Sequence, residues 1–218
     1  MEITWYGHSC FRLTERNFVT VVTDPFDNKI DGYDALKLKA EIVTISHDAS
    51  GHNNSGAVKG TTHVLTGPGE FEIGGVFITG VATDGGSSKK KNKEGGASNT
   101  IYVFDYDGIT VAHLGDLKHA PTQSEIETLG TVNVALVPVG GGGGLNAAKA
   151  AEVISMLEPN LVIPMHYSTP ATKLPLDSLN KFLKEMGLSK VDAQPSLKVT
   201  RSNLPDETHV IVLEYQAS

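Results

Sequence analysis

The chain has 218 residues, of which 39% are hydrophobic and 20% charged, with a formal net charge of −7. This composition excludes a disordered or fibrous chain, and the length allows a sizeable core within a single domain over 1–218. The acidic balance disfavours nucleic acid as a partner, because such a binder needs a basic surface to displace counterions from phosphates.

A single cysteine, Cys10, cannot close an internal disulfide; a small buried apolar role is its first reading and a nucleophile the second. No apolar stretch is long enough to span a bilayer, and Met1 to Trp5 reads as a strand rather than a basic and then apolar leader. A cytoplasmic protein without membrane attachment is expected.

Residues 3–6, 11–13 and 18–23 read as an N-terminal β-meander, interrupted by Gly7-His8-Ser9-Cys10. A Gly-His turn can aim an imidazole off a sheet edge, although a lone histidine is commonly a hydrogen-bonded structural residue. Pro25 biases Asp24 to an extended conformation, leaving Asp24 either a carboxylate that supports other site residues or a turn former.

Ile42, Val43 and Ile45 form an apolar strand that runs into Ser46-His47-Asp48-Ala49-Ser50-Gly51-His52-Asn53. A strand fixes one imidazole and a Gly- and Asn-containing turn folds the second beside it, which is a way to build a metal site; two solvated histidines on a surface loop are the plain alternative. Residues 62–65 read as a further strand, 67–70 as a turn, and 71–81 as a hairpin closed by Gly74-Gly75. Residues 84–98 are low-complexity and read as a mobile flap. Lys89, Lys90, Lys91 and Lys93 in it form either a solvated face or a means of steering an anionic small-molecule substrate.

Asp107-Gly108 marks a second hairpin, whose outgoing strand leads into Gly115-Asp116. A carboxylate just past a strand end is well placed for a metal, and is also a common turn or cap residue. From here helices alternate with strands: a helix at 121–129 capped by Thr122, a buried strand at 132–139, a helix at 146–157 capped by Asn146, a strand at 161–167 delivering His166, an amphipathic helix at 177–186 and a strand at 209–213. The glycines at 140–144 carry no phosphate-binding fingerprint and read as a flexible connector.

Taken together, Gly7-His8-Ser9-Cys10, the His47 loop, Leu114-Gly115-Asp116 and Pro164-Met165-His166-Tyr167 resemble the metallo-β-lactamase superfamily, and within it the branch of L-ascorbate-6-phosphate lactonase. The resemblance implies an α/β (α+β) fold, a four-layer αββα sandwich with its site at the edge between two sheets. It also implies metal-dependent hydrolysis of an ester, lactone or phosphoester.

The second motif of the superfamily, His-x-His-x-Asp-His, falls here on His47, Ala49, Gly51 and His52, so two of its ligands are missing. A further histidine is expected near Val81, where Asp84 could substitute. By the resemblance the metal residues are His47, His52, Asp116 and His166, and two complete sites are not expected. One ion per chain, zinc or else manganese or iron, suits this mixed set. Asp116 would also orient water, Asp48 would accept a proton and His8 would contact substrate. The alternative, carried by Ala49 and Gly51, is a non-catalytic member with a binding or regulatory role.

Overall fold

A computed structural model describes residues 1–27, 32–83 and 99–217; the expected flap at 84–98, Asp84 included, lies outside the described residues. In chain order the strands are β1 (Glu2–Trp5), β2 (Phe11–Thr14), β3 (Val21–Thr23), β4 (Leu38–Lys39), β5 (Ile42–Ile45), β6 (Val58–Lys59), β7 (His63–Thr66), β8 (Gly69–Ile73), β9 (Val76–Thr83), β10 (Asn99–Asp105), β11 (Thr110–His113), β12 (Val134–Pro138), β13 (Leu161–Met165), β14 (Ala193–Gln194), β15 (Leu197–Lys198), β16 (His209–Val210) and β17 (Val212–Leu213). The helices are α1 (Gln123–Leu129), α2 (Ala147–Leu157) and α3 (Leu179–Glu185).

Two sheets form the sandwich. The six-stranded one has the order β15-β1-β2-β3-β5-β7, and the seven-stranded one the order β16-β13-β12-β11-β10-β9-β8. Period-two alternation decides which side chains enter the space between them. In β5, Ile42 joins the main core while Val43 and Ile45 point the other way, into a second apolar cluster with Cys10, Phe26, Tyr33 and Leu38. The segment that carries β4 and β6 covers that outer face. Every residue of β12 and β13 is buried, as parallel strands covered on both faces must be. Each fully buried Val, Leu or Ile there contributes about 1.5–3 kcal/mol relative to an exposed one.

The caps form as expected. Thr122 accepts from the Glu125 backbone N–H while the Glu125 carboxylate accepts from the Thr122 N–H, and Asn146 accepts from the Lys149 N–H at 3.0 Å.

Several expected bounds change. Phe18 and Val19 precede β3 instead of starting it. Gly69 and Glu70 belong to strand β8, because pairing of Gly69 with Gly80 and of Glu70 with Thr79 recruits the end of the expected turn. The last expected strand divides at Ile211, β16 pairing with β13 and β17 with β14. The helix expected from 177 begins at Leu179, after Asp177 and Ser178.

Direction places the site. β1, β3, β5 and β7 run the same way in one sheet, and β11, β12, β13 and β16 do so in the other. Both sets of carboxyl ends meet at one edge. There the Thr100 N–H donates to Ser46 O at 2.8 Å and the His166 N–H to His8 O at 3.1 Å.

Candidate metal centre

Six polar side chains follow the carboxyl ends of strands at this edge: His8 after β1, Asp24 after β3, Ser46 and His47 after β5, Asp116 after β11 and His166 after β13. His52 joins them through a tight turn, in which the Ala49 N–H donates to His47 O and the His52 N–H to Ala49 O. Gly51 makes that turn with φ +96°, a conformation that an aspartate at this motif position would adopt only with strain. The turn brings the His47 and His52 rings to 4.2 Å between centroids.

His8, Asp24 and His166 themselves have φ values of +50°, +38° and +53°, so Asp24 is left-handed and not extended as the following Pro25 would bias it. Three non-glycine residues held in the left-handed region at one edge mark a place where packing over-determines side-chain direction.

Asp24 is the hub. Its Oδ1 accepts from the Ser46 N–H at 2.8 Å, and its Oδ2 accepts from the Ser46 hydroxyl at 2.6 Å and from His52 Nδ1 at 2.8 Å. Burial alone would raise this carboxyl; His113, His52 and Ser46 outweigh it and hold it at about 2. Asp24 is therefore an acceptor only, which makes His52 the Nδ1–H donor and leaves its Nε2 as the accepting nitrogen.

The Ser46 proton is committed to Asp24, so the Ser46 oxygen accepts from His47 Nδ1 at 3.0 Å, and the His47 Nε2 is likewise freed. From sequence alone Asp24 stands open between support and turn, and Ser46 has no role. Its only signal was a hydroxyl directly before His47.

His8 Nε2 lies 3.1 Å from His52 Nε2, so His8 is the donor of that pair. The ligand atoms of His8, His52 and His166 all lie within 4.8 Å of one another, and a second group joins Asp24, His47 and His52. Three buried atoms at this place have no hydrogen-bond partner: His8 Nδ1, His166 Nδ1 and Asp116 Oδ1. The last two are 3.8 Å apart. Orphaned buried polar atoms cost about 1–3 kcal/mol each, and a cation shared among them removes that cost, so the donor set fits a divalent metal.

Burial sets the charge state. It lowers His166 to about 3, with His52 and His47 adding to the effect, and lowers His47 to about 4, with His52 adding. Burial and the neighbouring imidazoles hold His8 well below the usual histidine range, and burial raises the Asp116 carboxyl. These imidazoles are neutral near pH 7, as ligands must be.

The sign for stability follows. Below about pH 6.5 the unfolded chain takes up protons that His8, His47 and His166 refuse when folded, so the metal-free protein loses stability from there down to about pH 3. Asp24 adds a loss below about pH 4, while Asp116 acts in the opposite sense. We expect Tm of the chelated protein to fall by on the order of 10 °C between pH 7 and pH 4, measured by circular dichroism. A flat profile across that window would contradict the buried neutral cluster.

Supports reach in from both sheets. The Asp116 N–H donates to Asn99 Oδ1 at 3.0 Å, and Asn99 Nδ2 donates to Leu114 O at 3.0 Å. Buried His113 accepts from the Gly115 N–H at 3.3 Å through Nδ1 and donates from Nε2 to Ser9 O at 2.9 Å, which ties the Asp116 loop to the first turn.

The glycines at 140–144 are not a free connector. A Cβ at Gly140 would lie 2.2 Å from His166 O, and one at Gly144 would lie 2.2 Å from Asp116 Oδ1. Cys10 is fully buried with its thiol pushed up by burial and by Asp24, which suits packing and not nucleophilic attack.

A cleft of about 480 Å³ opens beside the cluster, lined by Ser46, His47, Asp48, Asn53, Thr66 and Thr100 among others. Asp48 is exposed there and accepts from Asn53 Nδ2 at 2.7 Å. His8, at 2% exposure, does not line this cleft. Of the expected residues, the structure brings His8, His47, His52, Asp116 and His166 to one place and leaves Asp48 at its rim.

Known proteins share this arrangement of strands. Residues 2–166 match the Beta-lactamase superfamily domain. A crystal structure from Thermotoga maritima, of a proposed Zn-dependent hydrolase of the metallo-β-lactamase superfamily, is 35% identical with a TM-score of 0.80, and the alignment covers 99% of each chain. A UPF0173 metal-dependent hydrolase from Methanocaldococcus jannaschii is 25% identical over 215 residues, covering 87% of this chain and 95% of its own length. A UPF0173 protein from Pyrococcus abyssi is 26% identical over 189 residues, covering 78% of this chain and 84% of its own. With the domain match across most of its length and the Thermotoga structure alike from end to end, the chain belongs to the metallo-β-lactamase superfamily.

Proposed function

We propose that the protein is a metal-dependent hydrolase of a small-molecule ester, lactone or phosphoester. One divalent cation per chain, zinc or else manganese or iron, would be held by His52, His166 and Asp116 with His47 beside them. The observation that carries this reading is the convergence of unpartnered, buried nitrogen and carboxylate atoms next to a cleft of about 480 Å³. The relatives named as metal-dependent hydrolases support the same class.

A divalent cation in such a site supplies Lewis acidity toward a carbonyl or phosphoryl oxygen. The chain's own residues do the rest. Asp116, less buried than His8, His52 and His166, has one oxygen unpartnered, with which it orients water. Asp48, held by Asn53 at the rim, accepts a proton from the cleft side. Ser46 and Asp24 keep the His47 and His52 imidazoles in one tautomer.

The resemblance of the four motifs, taken together, to the lactonase branch supports lactones among the first substrates. The lysines of 84–98 support an anionic one.

The test is metal content by elemental mass spectrometry, together with hydrolysis of p-nitrophenyl esters, lactones and bis-p-nitrophenyl phosphate before and after chelation. About one ion per chain is expected, with turnover lost on chelation and kcat reduced by on the order of 10²–10⁴ in Asp116→Ala. Metal bound without turnover of any of these substrates would favour the non-catalytic reading that Ala49 and Gly51 support. No metal under any loading condition would end the proposal.

A further inference from the structure

We propose that His8 is itself a metal ligand, forming with His52 and His166 a three-histidine set that leaves the fourth position for water or substrate, with Asp116 beside His166 at 3.8 Å. This rests on the metal-dependent reading above and goes beyond it, because His8 lies in the first interstrand turn, outside the second motif where two ligands are missing.

Two groups of side chains at this edge could hold an ion, and they share His52. The hydrogen bonds separate them. His52 Nδ1 is committed to Asp24, so His52 has one nitrogen to offer, Nε2, and that atom faces His8 Nε2 at 3.1 Å. Asp24 accepts three hydrogen bonds, from Ser46 N–H, the Ser46 hydroxyl and His52, which occupy both of its oxygens. Asp24 therefore has no oxygen to spare, so the Asp24, His47 and His52 group is not a complete site, whereas the His8, His52 and His166 group keeps the unpartnered Nδ1 atoms of His8 and His166.

The turn is built to hold His8 there. Its carbonyl accepts from Trp5 Nε1 at 3.1 Å and from the His166 N–H at 3.1 Å, which pins the backbone to a core tryptophan on one side and to the opposite sheet on the other. The ring lies 4.3 Å from the His166 ring and 4.7 Å from the His52 ring, centroid to centroid. A purely structural ring at this position would carry no polar cost. His8 instead buries Nδ1 with no partner and holds a left-handed backbone. Coordination gives the imidazole a use that packing alone does not.

His8→Asn is the variant of choice, because Asn tolerates a positive φ while its side chain is too short to reach the other ligands. Co(II) titration of the purified 218-residue chain, followed by visible absorption and by competition with a chelator, reads the coordination without reference to turnover. Wild type is expected to take about one Co(II) with the intense bands of a four-coordinate ion, and His8→Asn to bind more than about 100-fold more weakly with those bands lost. Circular dichroism of the metal-free variant checks its fold.

Should the variant not fold, wild type loaded with ¹¹³Cd provides the second readout: a scalar coupling from a His8 ring nitrogen to cadmium is expected. Wild-type affinity and spectrum in a folded His8→Asn, or no such coupling at His8, would overturn the assignment and leave the hydrolase proposal standing. A wild type that takes up no metal would bring down both.

Discussion

Asp24→Asn is expected to keep the fold and to weaken divalent-cation binding by about 10–100-fold. The substitution is nearly isosteric, and Asn accepts the positive φ that Asp24 holds. Its effect lies in the direction of one hydrogen bond. With the amide oxygen at the position of Oδ1, the Ser46 N–H keeps its acceptor, but an NH2 group then faces both His52 Nδ1 and the Ser46 hydroxyl, the two donors now bonded to Asp24 Oδ2.

To avoid donor against donor, His52 must move its proton to Nε2, and Ser46 must turn its hydroxyl toward His47 Nδ1, which drives the His47 proton to Nε2 as well. Two imidazoles lose the lone pairs that the wild type presents. Flipping the amide only transfers the conflict to the Ser46 N–H. Zinc competition against a chromophoric chelator, alongside the Tm of the metal-free protein, checks this. The expected pattern is a large loss of affinity with a destabilisation of about 1–3 kcal/mol; unchanged affinity would show that the tautomers are set elsewhere.

Gly144→Ala is expected to lower kcat/KM by on the order of 10²-fold, because displacing a reacting group by about 1 Å costs that much. The added Cβ would sit 2.2 Å from Asp116 Oδ1 and 3.3 Å from its Cγ, so either the carboxylate or the glycine loop must shift. Asp116 is the softer of the two: its backbone N–H is held by Asn99, but Oδ1 has no partner. Steady-state kinetics on the best substrate from the screen, with metal content measured in parallel, reads the effect. A wild-type kcat/KM would mean that the loop moves and that Asp116 keeps its place.

Much of the architecture was readable from residues alone. Alternation marked the early strands, the change to a helical period marked α1 to α3, and Thr122 and Asn146 identified two helix starts through hydrogen bonds local to a single turn. The histidines at strand ends, His47 and His166, were readable for the same reason, since a strand running into a polar turn is a local pattern.

What was not readable is non-local. Ser46 has no function until Asp24, 22 residues earlier, is brought within 2.6 Å of it by the parallel pairing of β3 with β5. His8 reads as a structural histidine or a substrate contact until its turn is joined to the sheet that delivers His166. The two-residue strands β4, β6, β14, β15, β16 and β17 are too short to show any period. The glycines at 140–144 looked like slack because nothing in their own sequence says that Asp116 and His166 lie against them.

The candidate metal centre occupies one end of the sandwich, where strands finish, and the turns at the other end contribute no residue to it. Gly74-Gly75 between β8 and β9, Asp107-Gly108 between β10 and β11, and Glu15 to Asn17 between β2 and β3 all lie at that opposite end, as the strand directions require. The molecule thus divides its obligations between two poles. Changes at the distal turns are screened from the candidate centre by the full length of the strands, so that end is expected to accept an inserted reporter, a fused module or ordinary sequence drift with the histidine cluster left as it is.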